Sequence, residues 1–378
     1  MDFTLSEEHK MLQTTVRDFA NDKLAPVADE LDRKQEFAWD NFKMMAGMGL
    51  LGLGIPPEYG GSGGDELSIA IAMEELARAC ASTADIVDAH LCLCAAPIYR
   101  FGTEEQKQKF LPALVKGEKV GAHAVTESEA GSDVSRVQMT AVKDGDSYIL
   151  NGTKIFITNG DVCDVVLVFA TIPELGDRGM TAFIVEEGTL GYSKGKKYDK
   201  LGMRAATNAD QVFEDCRIPA ANRIGEEGRG MRIFLETIDH GRIGIAAQAL
   251  GITKAALDRA ADYAKQRQQF GAIIASYQAI GWRLADIFTE LEAARLLLYQ
   301  AAWLADNGQP FRTQAAMAKV YATELAMRAT TLGIQVFGGY GYMMDSPMQR
   351  YFRDAKLTEI YEGTSEVQRM IISGALFR

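Results

Sequence analysis

A glutamate near the end of the chain has the neighbours expected of a catalytic base. Glu362 lies between Tyr361 and Gly363. Because glycine carries no side chain, a ligand can approach the carboxylate and the backbone beside it closely. The next two residues, Thr364 and Ser365, carry hydroxyl groups of the kind that cap the start of a helix. The segment therefore predicts a base with room for a ligand at the N-terminus of a helix, and these two roles are compatible.

Four other motifs precede this segment and are separated from one another by long stretches of chain. They are Val125-Thr126-Glu127 with Ala130-Gly131-Ser132-Asp133, Ile155-Phe156-Ile157-Thr158-Asn159-Gly160, Arg267 with Phe270-Gly271, and Gln335 through Gly339. Together with the glutamate segment, and in this order, they resemble the acyl-CoA dehydrogenases over nearly the whole chain. One such match would carry little weight, whereas five in register are specific.

The resemblance implies an enzyme that uses FAD to form an α,β-double bond in an acyl-CoA thioester. In that family the glutamate matching Glu362 removes the α-proton while the flavin accepts a hydride from the β-carbon. Side chains cannot accept hydride, so a redox cofactor is obligatory. Desolvation of Glu362 by a ligand would raise the pKa of its carboxyl and make it a stronger base. The family also implies that the Glu362 backbone N–H and a flavin ribityl hydroxyl hold the thioester oxygen.

The family pattern assigns further residues by position. For FAD the matching residues are Val125, Thr126, Ser132, Phe156, Thr158, Arg267, Phe270, Gln278, Gln335, Gly338, Gly339, Thr364 and Glu366. For the CoA ester they are Ser132, Asp239, Arg242, Tyr361 and Gly363. In relatives the part of the FAD set around Arg267 reaches the neighbouring subunit's cofactor, so a homo-oligomer, specifically a tetramer, is expected. Electrons would pass to an electron-transfer flavoprotein.

Ordinary structural roles remain open for several of these residues. Phe156 and Thr158 are common in strands and would also suit the core of a sheet. Arg267 in isolation would be an exposed helical charge. Asp239 and Arg242 have the spacing of an i,i+3 ion pair on a helix.

The chain departs from the family pattern between residues 85 and 92. Asp88 and His90 fall in a region that helps to line the acyl pocket of relatives, many of which have small or neutral polar residues there. Both could approach the distal end of the substrate, which would suggest a polar, unsaturated or alicyclic acyl group instead of a plain short chain. Each is equally compatible with a hydrogen-bonded structural role. Ala84 stands where glutaryl-CoA dehydrogenases place an arginine, which disfavours a dicarboxylyl substrate.

Three segments of different periodicity must position these residues, which predicts an α+β fold. Residues 1–120 carry apolar residues at helical spacing and predict an N-terminal α-helical domain. Residues 121–228 contain short β-branched runs between Gly, Asp and Asn, and predict a middle antiparallel β domain. Residues 229–378 hold long Ala- and Leu-rich stretches with short connections, which predict a C-terminal four-helix bundle. The resemblance implies the same order.

A glycine pattern near the N-terminus resembles a dinucleotide-binding fingerprint but lacks its context. Gly47, Gly49 and Gly52 have the spacing G-x-G-x-x-G. That motif requires a strand before it and a helix opening after it. The residues before Gly47 instead have a helical pattern, so the sequence predicts a helix end followed by a turn.

Composition narrows the remaining possibilities. The chain of 378 residues is 47% hydrophobic and 24% charged, which is typical of a globular protein. Its formal net charge of -11 argues against nucleic acid or anionic membrane as a partner. The five cysteines, including the lone pair Cys92 and Cys94, predict buried thiols without a disulfide framework or a metal site. Neither a secretory signal nor a membrane span is predicted, so a cytoplasmic location is expected.

Three other activities fit the same motifs. The chain could reduce an enoyl-CoA with electron-transfer flavoprotein as the donor, since the equilibrium chemistry permits both directions. It could be an oxidase that passes electrons to oxygen. It could also be a non-catalytic acyl-CoA-binding protein, although an intact Glu362 segment and intact flavin motifs count against that alternative.

Overall fold

The structure is a computed structural model that describes residues 4–377. Its helices α1 to α12 are Glu7–Phe19, Ala28–Lys34, Trp39–Gly47, Glu66–Ala79, Ala81–Val87, Ala96–Phe101, Glu104–Val115, Gly230–Gln266, Gln278–Asp306, Arg312–Phe337, Pro347–Thr358 and Ser365–Leu376. Its strands β1 to β10 are Gly121–Ala124, Thr140–Asp144, Ser147–Thr158, Val165–Thr171, Met180–Glu186, Tyr192–Lys197, Asn208–Pro219, Arg223–Ile224, Gln268–Gln269 and Ala272–Ile273. Short 3-10 and π-helical segments join several of these elements.

The N-terminal helices begin at residues that can cap them. Ser6 accepts a hydrogen bond from the His9 backbone N–H at the start of α1. Thr103 and Gln106 form a capping box at the start of α7, in which each side chain accepts from the other residue's backbone N–H. After α5 the chain continues as a π-helical segment, Asp88–Ala95, which is almost entirely buried. This segment packs against β1 and α8, and so lies between all three domains.

The glycine-rich pattern after α3 forms a helix end and a turn. Helix α3 ends at Gly47, and Gly49 adopts φ +74° before a 3-10 turn at Leu50–Gly52. A helix therefore precedes the glycines, which confirms the predicted helix end and turn.

The middle domain is built on an eight-stranded sheet with strand order β6-β7-β3-β2-β4-β5-β8, and β1 also pairs with β4. Most neighbours are antiparallel, as predicted, but β1 and β2 each pair with β4 in parallel. The long connection after β1, which includes a complete β2–β3 hairpin, allows the chain to return in the same direction. Val165–Ala170 of β4 are all buried, so the central strand reads as a continuous apolar run.

Three long helices dominate the C-terminal domain, and α12 packs on α10 to complete a four-helix bundle. Helix α8 contacts α10 and α9 in the bundle and α4 of the N-terminal domain. A Cβ atom at Gly251 would overlap the backbone of α4, so glycine permits this close approach. The predicted helical, β and helical domains and the α+β class are confirmed.

Helix α11 ties the C-terminal domain to the other two. Arg353 donates to both carboxylate oxygens of the buried Asp32, at 3.0 and 2.5 Å, and to the carbonyl oxygen of Leu201 at 2.8 Å. Asp354 accepts from the backbone N–H of Met203 at 2.6 Å. Because α11 leads directly into the Glu362 segment, these contacts fix the position from which that segment starts.

The described residues contain neither a membrane-spanning helix nor a metal-binding cluster. Within residues 4–377, no helix combines the length and apolarity needed to cross a bilayer. The same part of the chain holds no group of three or more His, Cys, Asp or Glu side chains arranged to bind a metal ion. All five cysteines are buried free thiols, as the sequence predicted.

Removing Arg353 should destabilise the docking of α11. Arg353→Ala leaves the carboxylate of Asp32 buried without its bidentate partner, and we expect a loss of about 3 kcal/mol or more in the free energy of unfolding. Urea-induced unfolding followed by tryptophan fluorescence measures it. The control is Arg217→Ala, which breaks an exposed pair with Asp144 and should cost about 1 kcal/mol or less. Equal losses in the two variants would contradict the proposed anchoring role.

Candidate active site

Glu362 lies in a tight connection between α11 and α12. Its backbone adopts φ +52°, in the left-handed region that few residues other than glycine occupy, and Gly363 follows at φ +95°. Thr364 caps α12 by accepting from the Val367 backbone N–H at 3.4 Å. The segment is thus both a helix cap and the carrier of an unusually placed carboxylate. Strained backbone of this kind persists only where the surroundings hold it in place.

Two fully buried side chains hold the connection through its carbonyl oxygens. Lys319 of α10 donates from Nζ to the carbonyl oxygen of Gly363 at 2.8 Å. Gln368 of α12 donates from Nε2 to the carbonyl oxygens of Gly363 at 2.7 Å and Glu362 at 3.2 Å. These bonds from the interior keep the Glu362 side chain pointed into the site. Neither residue was predicted from its sequence neighbours, and the one available signal was the charge of Lys319 within the apolar, Ala-rich pattern of α10.

The Glu362 carboxyl is desolvated. Its Oε2 atom is buried and has no hydrogen-bond partner among residues 4–377. Burial raises the pKa of the Glu362 carboxyl to about 7, against the opposing effects of Asp88, Lys319 and Arg242. A carboxylate with this pKa is a competent general base near neutral pH.

Two glycines of α8 leave room for this carboxyl and for a second one. A Cβ atom at Gly241 would overlap the carboxylate of Glu362, and a Cβ atom at Gly244 would overlap that of Asp88. Residues three apart share one face of a helix, so both carboxyls face the same stripe of α8. The structure therefore brings Asp88 into the site beside Glu362.

His90 does not share that location. Its ring is fully buried, Nδ1 accepts from the Gly121 backbone N–H at 2.9 Å, and Nε2 is 3.1 Å from the carbonyl oxygen of Leu114. Burial lowers the pKa of His90 to about 4, so the ring is neutral. Because both ring nitrogens are engaged by backbone groups, the structural role left open by the sequence fits His90, and a substrate contact does not.

Tyr361 is fixed in position next to the base. Its hydroxyl donates to Oε1 of Gln248, a buried residue of α8 that the sequence analysis did not identify. Burial raises the pKa of the Tyr361 hydroxyl well above its ordinary value, so the ring stays neutral. The side chain is thus a rigid, uncharged wall.

Asp239 and Arg242 form the i,i+3 ion pair that their spacing allowed. The pair is not on an exposed surface, however, because Arg242 is buried and its Nε has no partner among the described side chains. Arg312 adds a second cation 3.8 Å from Asp239. A buried guanidinium with one free N–H is able to bind a further acceptor.

The middle-domain residues assigned to the flavin ring differ in exposure: Phe156 is exposed, Thr126 and Thr158 are half-buried, and Val125 is buried. Phe156 is 56% exposed, has φ +62° and packs its ring 4.8 Å from that of Tyr198. It is therefore not a sheet-core residue. The Thr158 hydroxyl accepts from Asn208 at 3.1 Å, and the carbonyl oxygen of Val125 accepts from buried Lys154 at 2.9 Å. An exposed aromatic ring in the same segment as a half-buried hydroxyl suits a flat, partly polar ring system.

Thr126 and Ser132 complete this side of the predicted set. Thr126 is half-buried next to Val125, and Ser132 is exposed in the turn that precedes the 3-10 segment Val134–Arg136. The turn is held by Glu127, which accepts from the backbone N–H groups of residues 138 and 139 at 2.7 and 3.0 Å. The motif recognised in the sequence is thus a supported loop with an accessible tip.

A second group of predicted cofactor residues lines a groove of about 900 Å³ in the C-terminal domain. Arg267, Phe270, Gly338 and Gly339 belong to it, and the Arg267 guanidinium lies 5.7 Å from the centre of the Tyr340 ring. The remaining residues assigned to FAD are Gln278, Gln335, Thr364 and Glu366. Thr364 is half-buried and the other three are exposed, and Gln335 lines a second pocket. Among the described residues that line the groove, none comes from the middle domain.

These features fit FAD. Phe270 is 96% exposed at φ +52°, an unfavourable state for an isolated aromatic side chain. Arginine beside paired glycines provides a guanidinium for a pyrophosphate and an open approach to backbone N–H groups. The exposed Phe156 ring suits the flat ring end of the cofactor, and the groove around Arg267 suits its charged nucleotide end.

Three models of the acyl-CoA dehydrogenase family match the chain in succession. The N-terminal domain model matches residues 6–118, the middle domain model matches residues 122–216, and the C-terminal domain model matches residues 228–377. The three matches leave only short connections and chain ends uncovered.

Curated relatives align over essentially the full length. The chain is 49% identical to the short-chain specific acyl-CoA dehydrogenase of Clostridium acetobutylicum, with 100% of each chain covered. It is 48% identical to the acryloyl-CoA reductase (NADH) of Anaerotignum propionicum, with 99% of this chain and 95% of the relative covered.

Solved structures agree with the fold. The butyryl-CoA dehydrogenase of Megasphaera elsdenii superimposes with a TM-score of 0.98 at 47% identity, covering 100% of both chains. The same values hold for a chain in a structure of the electron transferring flavoprotein of Acidaminococcus fermentans. PigA with FAD and proline superimposes with a TM-score of 0.96 at 34% identity, covering 100% of this chain and 99% of PigA.

Loosening the Glu362 connection should slow catalysis. Gln368→Leu removes both bonds from the side chain to the carbonyl oxygens, and a displacement of the base by about 1 Å is expected to lower kcat about 100-fold. Rapid-mixing measurement of flavin reduction by an acyl-CoA checks this. Gln309→Leu, at an exposed position between α9 and α10, is the control and should retain its rate. An unchanged rate in Gln368→Leu would show that the connection holds its geometry without this side chain.

Proposed function

The chain belongs to the acyl-CoA dehydrogenase family, and we propose that it oxidises a short-chain or alicyclic acyl-CoA to the 2-enoyl-CoA with Glu362 as the base. It is a flavin-dependent oxidoreductase, and its cofactor is FAD. The observation that carries the proposal is the desolvated carboxyl of Glu362 on a strained connection, held by Lys319 and Gln368. A structural glutamate would not need such a conformation.

The chemistry assigned to the chain itself is proton transfer and polarisation. FAD, when bound, supplies the hydride acceptor that no side chain provides. Glu362 takes the α-proton on its carboxylate, and its backbone N–H helps to hold the thioester oxygen. Polarisation of that oxygen acidifies the α-carbon, because a hydrogen bond stabilises the developing enolate charge. The rigid Tyr361 ring and closely approaching α8 restrict water around the base.

Binding of the two ligands is assigned to the residues that the family pattern matched. The ring end of FAD would rest on Val125, Thr126, Phe156 and Thr158. The groove around Arg267 and Phe270 would hold the nucleotide end, with Gln278, Gln335, Gly338, Gly339, Thr364 and Glu366 contributing. For the CoA ester we assign Ser132, Asp239, Arg242, Tyr361 and Gly363. The free N–H of buried Arg242 and the accessible Ser132 support the last assignment.

The acyl group is expected to be short and to lack a second charge. Both relatives reported above carry names of short acyl substrates, and Asp88 lies beside the base. Asp85 is also buried one turn away. A carboxylate on the distal end of the acyl chain would meet two buried carboxyls and no cation from Ala84, which disfavours dicarboxylyl substrates. Alicyclic and unsaturated groups remain within the proposed class.

We assign an electron-transfer flavoprotein as the electron acceptor, and a homotetramer as the assembly. The first rests on the similarity to a chain found in an electron transferring flavoprotein structure. The second is supported by the exposed aromatic side chains of α9, Trp282, Phe288 and Trp303, because a large exposed apolar face is typical of an interface. The location that suits such an enzyme is the cytoplasm.

Reduction of an enoyl-CoA is a second candidate. The 48% identity to an acryloyl-CoA reductase favours it, and the same base would then return its proton to the α-carbon. The two directions share one site. Anaerobic titration of the oxidised enzyme with saturated acyl-CoAs, and of the reduced enzyme with enoyl-CoAs, compares them.

Replacing the base should abolish turnover without loss of the cofactor. Glu362→Gln keeps the size of the side chain but cannot accept a proton, and we expect flavin bleaching by acyl-CoA to slow by at least about 1,000-fold. The measurement is an anaerobic absorbance titration with straight-chain, branched and alicyclic acyl-CoAs. The visible flavin band of the purified variant serves as the control for folding. Full bleaching in this variant would rule out Glu362 as the base.

Activity should fall on the acid side of neutrality. Because burial raises the pKa of Glu362 to about 7, the carboxyl is protonated below that pH and cannot act as a base. We expect kcat/KM to decline about tenfold per unit below pH 7 and to level off above it. A decline that begins only near the ordinary glutamate pKa of about 4 would contradict the desolvated state of the carboxyl.

A further inference from the structure

Two buried carboxyls face each other in the site without an assigned donor between them. Asp88 is 1% exposed, and its Oδ1 atom has no partner within the described chain. Oε2 of Glu362 is in the same state. Both oxygens lie against α8, over Gly241 and Gly244. Two carboxylates are acceptors only, so they can hydrogen-bond to each other only if one of them carries a proton.

The two cations near this pair already bind other groups. Lys319 of α10 donates to the Gly363 carbonyl oxygen, and burial lowers its pKa to about 7, so its charge is partial near neutrality. Arg242 of α8 is paired with Asp239. Among residues 4–377, the other titratable groups that interact with the pair add no positive charge; they are Asp85 of α5, Cys92 of the π-helical segment and the Tyr361 hydroxyl. Two adjacent negative charges in this setting would strongly disfavour each other.

The proton belongs mainly to Asp88. Burial, followed by the charge of Glu362, raises the pKa of the Asp88 carboxyl well above its ordinary value. Glu362 has two cations within electrostatic reach and a pKa of about 7. When the pair holds a single proton, the favoured state is therefore a neutral Asp88 that donates to an ionised Glu362.

We propose that Asp88 is a positioning residue that shares one proton with the base Glu362 and donates a hydrogen bond to its carboxylate in the resting enzyme. This inference rests on the proposed role of Glu362. The bond holds the base in place, and it stabilises the ionised form before substrate arrives. When Glu362 takes the α-proton, the electrons of the broken C–H bond stay on the substrate. The pair then holds two protons and is neutral.

The proposal also accounts for the acyl class. A neutral Asp88, whose hydroxyl donates to Glu362, presents no fixed charge to the slot. It tolerates an uncharged acyl group, such as an unsaturated or alicyclic one. An ionised carboxylate beside such a group would itself have to be desolvated, which is costly. Asp88 thus adds a polar contact without the cost of a second buried charge.

The pH dependence of kcat/KM in two Asp88 variants tests the proposal. The direction in which the acid limb moves depends on whether Asp88 carries a proton. Asp88→Ala removes the donor, so the pKa of Glu362 rises and the acid limb of kcat/KM moves up by about one pH unit or more. Asp88→Asn still has an N–H donor, so its limb stays close to that of the wild type. If Asp88 were ionised instead, both variants would remove a negative charge and move the limb to lower pH. That result, or an unmoved limb in both variants, would overturn the proposal.

Asp85→Asn is the matched control. Asp85 is also buried nearby, but its nearest opposite charge is Lys200, and the charge of Asp85 raises the pKa of Glu362. Removing it should leave the limb in place or move it to lower pH, the direction opposite to Asp88→Ala. An upward shift here would mean that the Asp88→Ala shift is not specific to a shared proton, and it would count against the proposal.

An infrared measurement decides the question without turnover. The FAD-loaded wild type should show the carbonyl stretch of a protonated, deuterium-exchangeable carboxyl, which is absent from Asp88→Asn and retained in Glu362→Gln. Absence of this band from the wild type would overturn the shared proton even if the pH profiles agreed. If Glu362→Gln were fully active, the proposed base would be wrong, yet the band would still report whether Asp88 carries a proton.

Discussion

The site depends on one strained connection, because the carboxylate of Glu362 points into the interior only while its backbone stays at φ +52°. Such a conformation costs about 1–3 kcal/mol and needs support from its surroundings. Lys319 and Gln368 give that support through carbonyl oxygens. For these side chains to be buried, α10 must pack against α8 and α12, and α11 must be anchored to the other domains. The C-terminal bundle is thus the frame that holds a single turn.

The turn is half-buried, but burial of Oε2 of Glu362 has an electrostatic consequence. A base must lose water to become strong, but a buried carboxylate needs compensation. Here the compensation is indirect, since Arg242 is paired with Asp239 and Lys319 bonds to a carbonyl oxygen. Neither cation makes a direct ion pair with Glu362, which would lower its pKa and weaken the base. A neighbouring carboxyl that keeps its own proton stabilises the negative charge of Glu362 by a hydrogen bond. This lowers the pKa of Glu362 less than a salt bridge would.

The base and the domain order could be predicted from the sequence, but the residues that hold the base in place could not. Glu362 and the flavin motifs have distinctive neighbours, and the helical and β periodicities differ enough to separate three domains. Lys319 and Gln368 have no such neighbours, because burial of a polar side chain depends on which helix packs over it. The parallel pairing of β1 and β2 with β4 likewise follows from tertiary arrangement. Asp88 and His90 were indistinguishable in sequence, yet residues two apart on a helical segment point to different sides.

Strained backbone positions coincide with several of the motifs recognised from the sequence. Among the described residues, positive φ outside glycine occurs at Gln35, Phe156, Asn159, Met203, Asp215, Phe270 and Glu362. Four of these seven lie in motifs recognised from the sequence, namely Phe156, Asn159, Phe270 and Glu362. Phe156 and Phe270 are also exposed, so no core packing in one chain explains their conformations. Strained backbone under an exposed aromatic ring costs free energy without a packing gain, so these two positions are where the binding of a ligand would supply the missing contacts.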